Sequence, residues 1–138
     1  SDRGIDLIKK YESLRLRAYR DSGGVWTIGY GHTSGVKMGD VITKETAERY
    51  FIEDMFIVEN EINRHGLTIN QNQFDALSSF TFNIGIGRFR KSTLLKMVKT
   101  DSYNRDIEKQ FKRWIYVKGK VNHGLVNRRN EEAKLYFS

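Results

Sequence analysis

The chain has 138 residues, 24 Lys and Arg against 17 Asp and Glu, a formal net charge of +7 and no cysteine, so a disulfide framework, a thiol nucleophile and a thiolate metal site are all excluded. That length suits one domain able to bury roughly two thirds of its unfolded surface, and its longest wholly apolar run, Met55 to Val58, is far short of the ~18 residues that cross a bilayer, so no stable membrane insertion is expected. The basic balance favours nucleic acid, acidic lipid or an anionic wall polymer as a partner. The three histidines, at 32, 65 and 123, follow no metal-ligand spacing, and neither a metal nor a cofactor is expected.

In chain order, Ile5, Ile8 and Tyr11 recur at three-residue spacing and predict a helix over 3–12, which leaves Glu12 at its C-terminal end. Leu16 and Ala18 then alternate with Arg15 and Arg17, the chain turns at Asp21-Ser22-Gly23-Gly24, and alternation resumes through Trp26, Ile28 and Tyr30. This predicts a β-hairpin, extended into a small sheet through 35–41. Thr43 is placed to cap a long amphipathic helix over 44–65, marked by Ala47, Phe51, Val58 and Ile62 and stopped by Gly66.

Asn70 or Asn72 caps the next helix, in which Phe74, Leu77 and Thr81 share a face and which closes at Gly85. Further helices are expected over 92–99, 106–116 and 125–137, with a Gly-containing turn over 118–124. The fold class is α+β with helix dominant: one domain with a β-hairpin lobe at about 14–42, a connecting helix at about 44–65, a mainly helical lobe at about 66–138, and a cleft between the lobes. The chain opens on Ser1 rather than Met, which fits either a removed targeting segment or a cloning boundary; no signal or anchor is expected in the visible chain.

Glu12, Asp21 and Thr27 suit the chemistry of glycoside hydrolysis. That reaction needs a proton donor for the leaving oxygen and, across the sugar, a group that activates water or steadies positive charge. A Glu beside the negative end of a helix dipole suits the donor, and an Asp in a polar turn suits the partner. The Thr hydroxyl on the outgoing strand can hold a water between itself and Asp21. Singly, each residue has an ordinary explanation: a solvated helix end, an Asx turn, a strand residue.

The wider pattern is more specific. Glu12, eight residues, Asp21, five residues, Thr27, then Ile28-Gly29-Tyr30-Gly31-His32-Thr33 resembles the catalytic signature of the bacteriophage lysozymes, or endolysins, of glycoside hydrolase family 24. The resemblance runs on through Gln73 to Leu77, Phe82 to Gly85, Ser92 to Leu95, Phe111 with Trp114, and Gly124 to Arg129, so it covers nearly the whole chain. It implies a lysozyme-like fold and a muramidase that cleaves the β-1,4 bond between N-acetylmuramic acid and N-acetylglucosamine without a cofactor. The partner would be peptidoglycan glycan strands, met by a monomer made in the host cytoplasm and acting on the cell wall.

By that resemblance Glu12 is the general acid, Asp21 the opposing carboxylate and Thr27 the water-positioning hydroxyl, working with inversion at the sugar carbon. Gly31, His32 and Thr33 match the hairpin end that lines the cleft, with His32 bracing the hairpin; Phe82, Asn83 and Ser92 match the facing wall. Arg128 matches the arginine that pairs with the acid, whereas Arg129 is expected on a solvated face. Where the family commonly has Gly after the catalytic Glu, this chain has Ser13. Nucleic-acid binding through Lys112, Arg113 and Lys118 with Trp114 and Tyr116 is not expected: in such a fold those rings belong to the core and those cations to a solvated face.

Overall fold

A computed structural model describes residues 1–138. Helix α1 (Asp2–Glu12) leads into strands β1 (Arg15–Arg20) and β2 (Trp26–Gly29), which pair antiparallel with Tyr19 opposite Thr27 and Arg20 opposite Trp26. Between Arg15 and Tyr19 the register shifts, as at a bulge, so the strand twists there. The predicted extension through 35–41 is reduced to a single bridge between Arg17 and Val41. Glycines at 35 and 39 take positive φ, which turns the backbone away from a continuous ladder.

Helix α2 (Lys44–Asn63) is capped by Thr43, whose hydroxyl accepts from the Thr46 N–H at 3.1 Å. At 20 residues it spans roughly 30 Å, packing on β2 at one end and on helix α3 (Gln71–Ile84) beyond it. A capping box starts α3: Asn70 accepts from the Gln73 N–H at 2.8 Å while the Gln73 side chain accepts from the Asn70 N–H at 2.9 Å. Eight of its residues, among them Ala76, Leu77, Ser79 and Phe80, are buried, and α1 and α7 both pack against it. The α1 contact is close because Gly4 lies directly on Asp75, where any Cβ would collide.

After Gly85 the chain forms a short helix α4 (Ile86–Lys91), then α5 (Thr93–Thr100) and α6 (Ile107–Lys112). Helix α4 was not anticipated: six residues containing Gly87 are too few to show a helical period. Helix α6 ends at Lys112, four residues short of the predicted Tyr116. Tyr116–Val117 (β3) pairs instead with Lys120–Val121 (β4), around Lys118 and Gly119, both at positive φ (51° and 77°), as a two-residue hairpin turn requires. Tyr116 is therefore exposed rather than core, whereas Trp114 packs edge-on against Phe80. Helix α7 (His123–Tyr136) closes the chain, capped by Asn122.

The main core gathers Leu77, Phe80, Phe89, Leu94, Ile107, Phe111 and Tyr136 from α3 to α7, and Ile8, Phe51 and Met55 form a smaller cluster between α1 and α2. Phe82 borders both, so the two cores are continuous through one ring. No helix is long and apolar enough to cross a membrane.

Buried Glu61 ties α2 to α4: Arg90 donates to it at 2.7 and 3.0 Å, and Nε2 of His65 lies 2.7 Å away. The Arg90 guanidinium, helped by His65 and opposed by burial, holds the Glu61 carboxyl down to about 2. A carboxyl depressed in the folded state stabilises fully above its unfolded value, and that contribution disappears as pH falls from about 5 toward 2. Glu61→Gln is therefore expected to cost about 1–2 kcal/mol at neutral pH, discounted for solvent around Arg90. In urea titrations, the gap from the unsubstituted protein should close at pH 2.

Candidate active site

Glu12 is the last residue of α1, and the helix stops there because Ser13 takes φ 57°, ψ 157°. That region of backbone space belongs to glycine, so Ser13, at the position where the resemblance led us to expect Gly, carries backbone strain. Ser13→Gly is expected to raise stability by about 1 kcal/mol, relief of strain exceeding the extra chain entropy of Gly. A higher urea midpoint at unchanged slope would register it.

The Glu12 side chain is 16% exposed and accepts a hydrogen bond from Nη1 of Arg128 at 2.6 Å. On its other side lies Gly31 at φ 72°, where a Cβ would stand 2.8 Å from the Glu12 carboxyl carbon. Only glycine lets the hairpin end approach the carboxylate this closely.

Arg128 is itself fixed from behind. Its Nη2 donates to the Ser79 carbonyl at 3.0 Å and its Nε to Glu132 at 3.3 Å. Glu132 is fully buried and also accepts from the Ser79 hydroxyl at 2.5 Å and from Nη2 of Arg129 at 3.2 Å. The Arg129 Nε to Glu132 Oε1 contact is 2.7 Å, but neither atom has a well-aligned hydrogen bond; it acts through charge. Burial pushes the Glu132 carboxyl up, against the two guanidiniums beside it.

Arg129 thus sits at 0% exposure, not on the expected solvated face. Helix α7 packs against both α3 and α6, and the Arg129 guanidinium lies over the Phe80 ring of α3, 5.0 Å from its centroid. Residues at 128, 129 and 132 have the spacing of a surface ion-pair ladder, and nothing local in the sequence separates that from a buried network.

On the hairpin, Asp21 Oδ1 accepts from the N–H groups of Gly23 (2.9 Å) and Val25 (2.8 Å), an Asx turn that fixes the carboxylate. Its second oxygen has no protein partner and faces solvent on an exposed residue. The Thr27 hydroxyl donates to the Val25 carbonyl at 2.8 Å. With its proton committed, the Thr27 oxygen is left as an acceptor.

His32 stacks on Tyr50 with centroids 4.2 Å apart and hydrogen-bonds Asp54 at 2.8 Å through Nδ1; its main chain exchanges two 2.9 Å bonds with Ile28. Burial pushes the Asp54 carboxyl up, against the hydrogen bond from His32. The ring is thereby tied to α2, holding the hairpin end in place. Thr33 is exposed beside it.

Across the molecule, Asn83 is exposed near the end of α3, Phe82 packs on Phe51 at 5.7 Å, and Ser92 is buried. The Ser92 hydroxyl is used locally, accepting from the Leu95 N–H at 3.1 Å and donating to the Phe89 carbonyl at 2.7 Å. The structure therefore brings Glu12, Gly31 and Arg128 into direct contact and leaves Ser92 as the cap of α5. Two concavities, of about 370 Å³ beside Leu67 and Phe74 and about 540 Å³ between α1 and α7, lie away from these residues. No group of three or more His, Asp or Glu is arranged to hold a metal.

The model of the family described as phage lysozyme matches residues 9–132. The endolysin of Acyrthosiphon pisum secondary endosymbiont phage 1 is 43% identical, covering 100% of this chain and 97% of the relative. That of Bacillus phage PZA is 41% identical over the whole chain, which spans only 55% of it. Among solved structures, the muramidase domain of SpmX from Asticaccaulis excentricus superposes with a TM-score of 0.86 at 34% identity, over 100% of this chain and 97% of that one. With the family model covering most of its length and a full-length relative above two fifths identical, the chain belongs to the phage lysozyme family.

Proposed function

We propose that this protein is a muramidase that hydrolyses the β-1,4 bond between N-acetylmuramic acid and N-acetylglucosamine of peptidoglycan by single displacement. Glu12 gives its proton to the leaving oxygen, and Asp21 with Thr27 holds and activates the attacking water. The observation that carries this reading is the Glu12 carboxyl wedged between Arg128 and Gly31, at the base of the hairpin that bears the other two residues.

Commitments of the hydrogen bonds support the division of labour. A water that gives one proton to the free oxygen of Asp21 and the other to the Thr27 oxygen keeps a lone pair for the anomeric carbon. The Asx turn and the Val25 carbonyl pre-set both acceptors, so neither has to reorient during the reaction. Single displacement requires carboxyl groups roughly 6.5–9.5 Å apart, wide enough for that water. The hairpin lobe and the helical lobe would form the two walls of the glycan cleft, with Gly31, His32 and Thr33 at one wall and Phe82 and Asn83 at the other. Acting as a monomer on the wall, after synthesis in the host cytoplasm, the protein would lyse the cell as an endolysin does; its net charge of +7 assists approach to an anionic envelope.

Digestion of purified peptidoglycan, followed by proton NMR, tests the reading: new reducing ends should be muramic acid, appearing first as the α-anomer. A first-formed β-anomer would show double displacement, and new reducing ends on glucosamine would show a different bond specificity. Thr27→Val removes the acceptor and leaves the Val25 carbonyl without its donor. Turnover should fall roughly 10- to 100-fold with KM little changed, at about 1 kcal/mol of stability; Thr27→Ser should retain most of the rate.

A further inference from the structure

We propose that Tyr19 is a sugar-contacting residue of this active site, its phenol hydrogen-bonding a neutral oxygen of the glycan, and that Arg15 is the positioning residue that holds its ring. The inference rests on the muramidase reading above and extends it to two residues on β1.

Tyr19 pairs directly with Thr27 across the hairpin, and directly opposed residues share a face of the sheet. The phenol is therefore on the side of the hairpin that carries the water-positioning hydroxyl. It is half-buried, yet its hydroxyl has no hydrogen-bond partner in the protein, unlike those of Tyr11 and Tyr136, which bond Glu131 and the Ser102 carbonyl. Burial, then the negative charges of Glu12 and Asp21, push the Tyr19 phenol up, while Arg15 opposes them.

A phenol in this setting keeps its proton and is a committed donor. Its natural acceptors are neutral oxygens, a ring hydroxyl or the acetamido carbonyl of an N-acetylated sugar, because the carboxylate oxygens are needed for proton transfer and for water. Arg15 makes no ion pair with any carboxylate; its guanidinium lies over the Tyr19 ring, 4.8 Å from the centroid. The stack ties the ring to a fixed part of the strand beside the bulge, so the phenol is already directed when the glycan arrives.

The test uses the full chain and a muropeptide tetrasaccharide, with two readouts. Tyr19→Phe keeps the ring and the stack, and should lower kcat/KM about 3- to 10-fold, the factor of one neutral hydrogen bond, with an unchanged melting temperature. Arg15→Gln should lower kcat/KM by a similar factor in the native background and have no further effect in the Tyr19→Phe background, whereas a purely structural role would lower the melting temperature in both. In the Glu12→Gln background, calorimetry should show weaker muropeptide binding when Tyr19→Phe is added. Kinetics and binding unaltered by Tyr19→Phe would overturn the proposal, as would parallel losses of activity and melting temperature. Absence of muropeptide binding and of any cleavage by the native protein would instead overturn the muramidase reading.

Discussion

Glu12→Gln is expected to lower the rate of reducing-end release from peptidoglycan by about 10²- to 10⁴-fold, the range that a positioned proton donor contributes. The substitution is close to isosteric, and its amide oxygen can still accept from Arg128, which now reaches Glu12 at 2.6 Å. The variant removes one countercharge of Arg128, but at a side chain 16% exposed and so within reach of water, and should keep its fold at a cost of about 1–2 kcal/mol, less than for the fully buried Glu132. In the reaction only the transferable proton is lost, so kcat should carry the effect and KM should stay close to its original value. A variant retaining more than a tenth of the native turnover would show that the leaving oxygen is protonated by another group.

Glu132→Ala should produce the largest loss of stability, about 3–5 kcal/mol, as expected when one partner of a buried ion pair is removed. Around that carboxylate, Arg128 and Arg129 are 3% and 0% exposed. The Glu12, Arg128, Arg129 and Glu132 set holds two cations against two carboxylates, and truncation would leave one cation uncompensated away from water. For a chain of this length the melting temperature should fall by roughly 10–20 °C. Turnover should fall as well, because the Ser79–Glu132 bond at 2.5 Å and the Arg128–Glu132 bond at 3.3 Å help to orient the guanidinium that holds Glu12. Thermal unfolding followed by circular dichroism would measure the first effect, and a loss under about 1 kcal/mol would mean that water can enter and solvate the two arginines.

Glu12, Asp21 and Thr27 were legible as candidates because their spacing is part of a family signature; the chemistry of each residue alone allowed them and did not require them. Arg128 came the same way. Ser79, Arg129 and Glu132, which hold Arg128 in place, carried no such signal, since charges at 128, 129 and 132 read the same whether water or protein lies above them. Tyr19 stood in the same motif, and its place beside the Thr27 hydroxyl emerged only once strand pairing put the two opposite each other.

Neighbours within a few residues already settle the cap at Thr43, a cap at Asn70 or Asn72, the Asp21 turn, and the apolar spacing of α1, α2 and α3, each governed by local hydrogen bonding or by period. Long-range packing sets which faces of α7 are buried, closes Gly31 on Glu12, pairs residues 116–121 as a hairpin instead of prolonging α6, and gives Ser13 a glycine-like backbone. Each of these depends on groups brought together from distant parts of the chain, as Glu12 and Arg128 are across 116 residues, and their energies come from burial and charge that no local window contains.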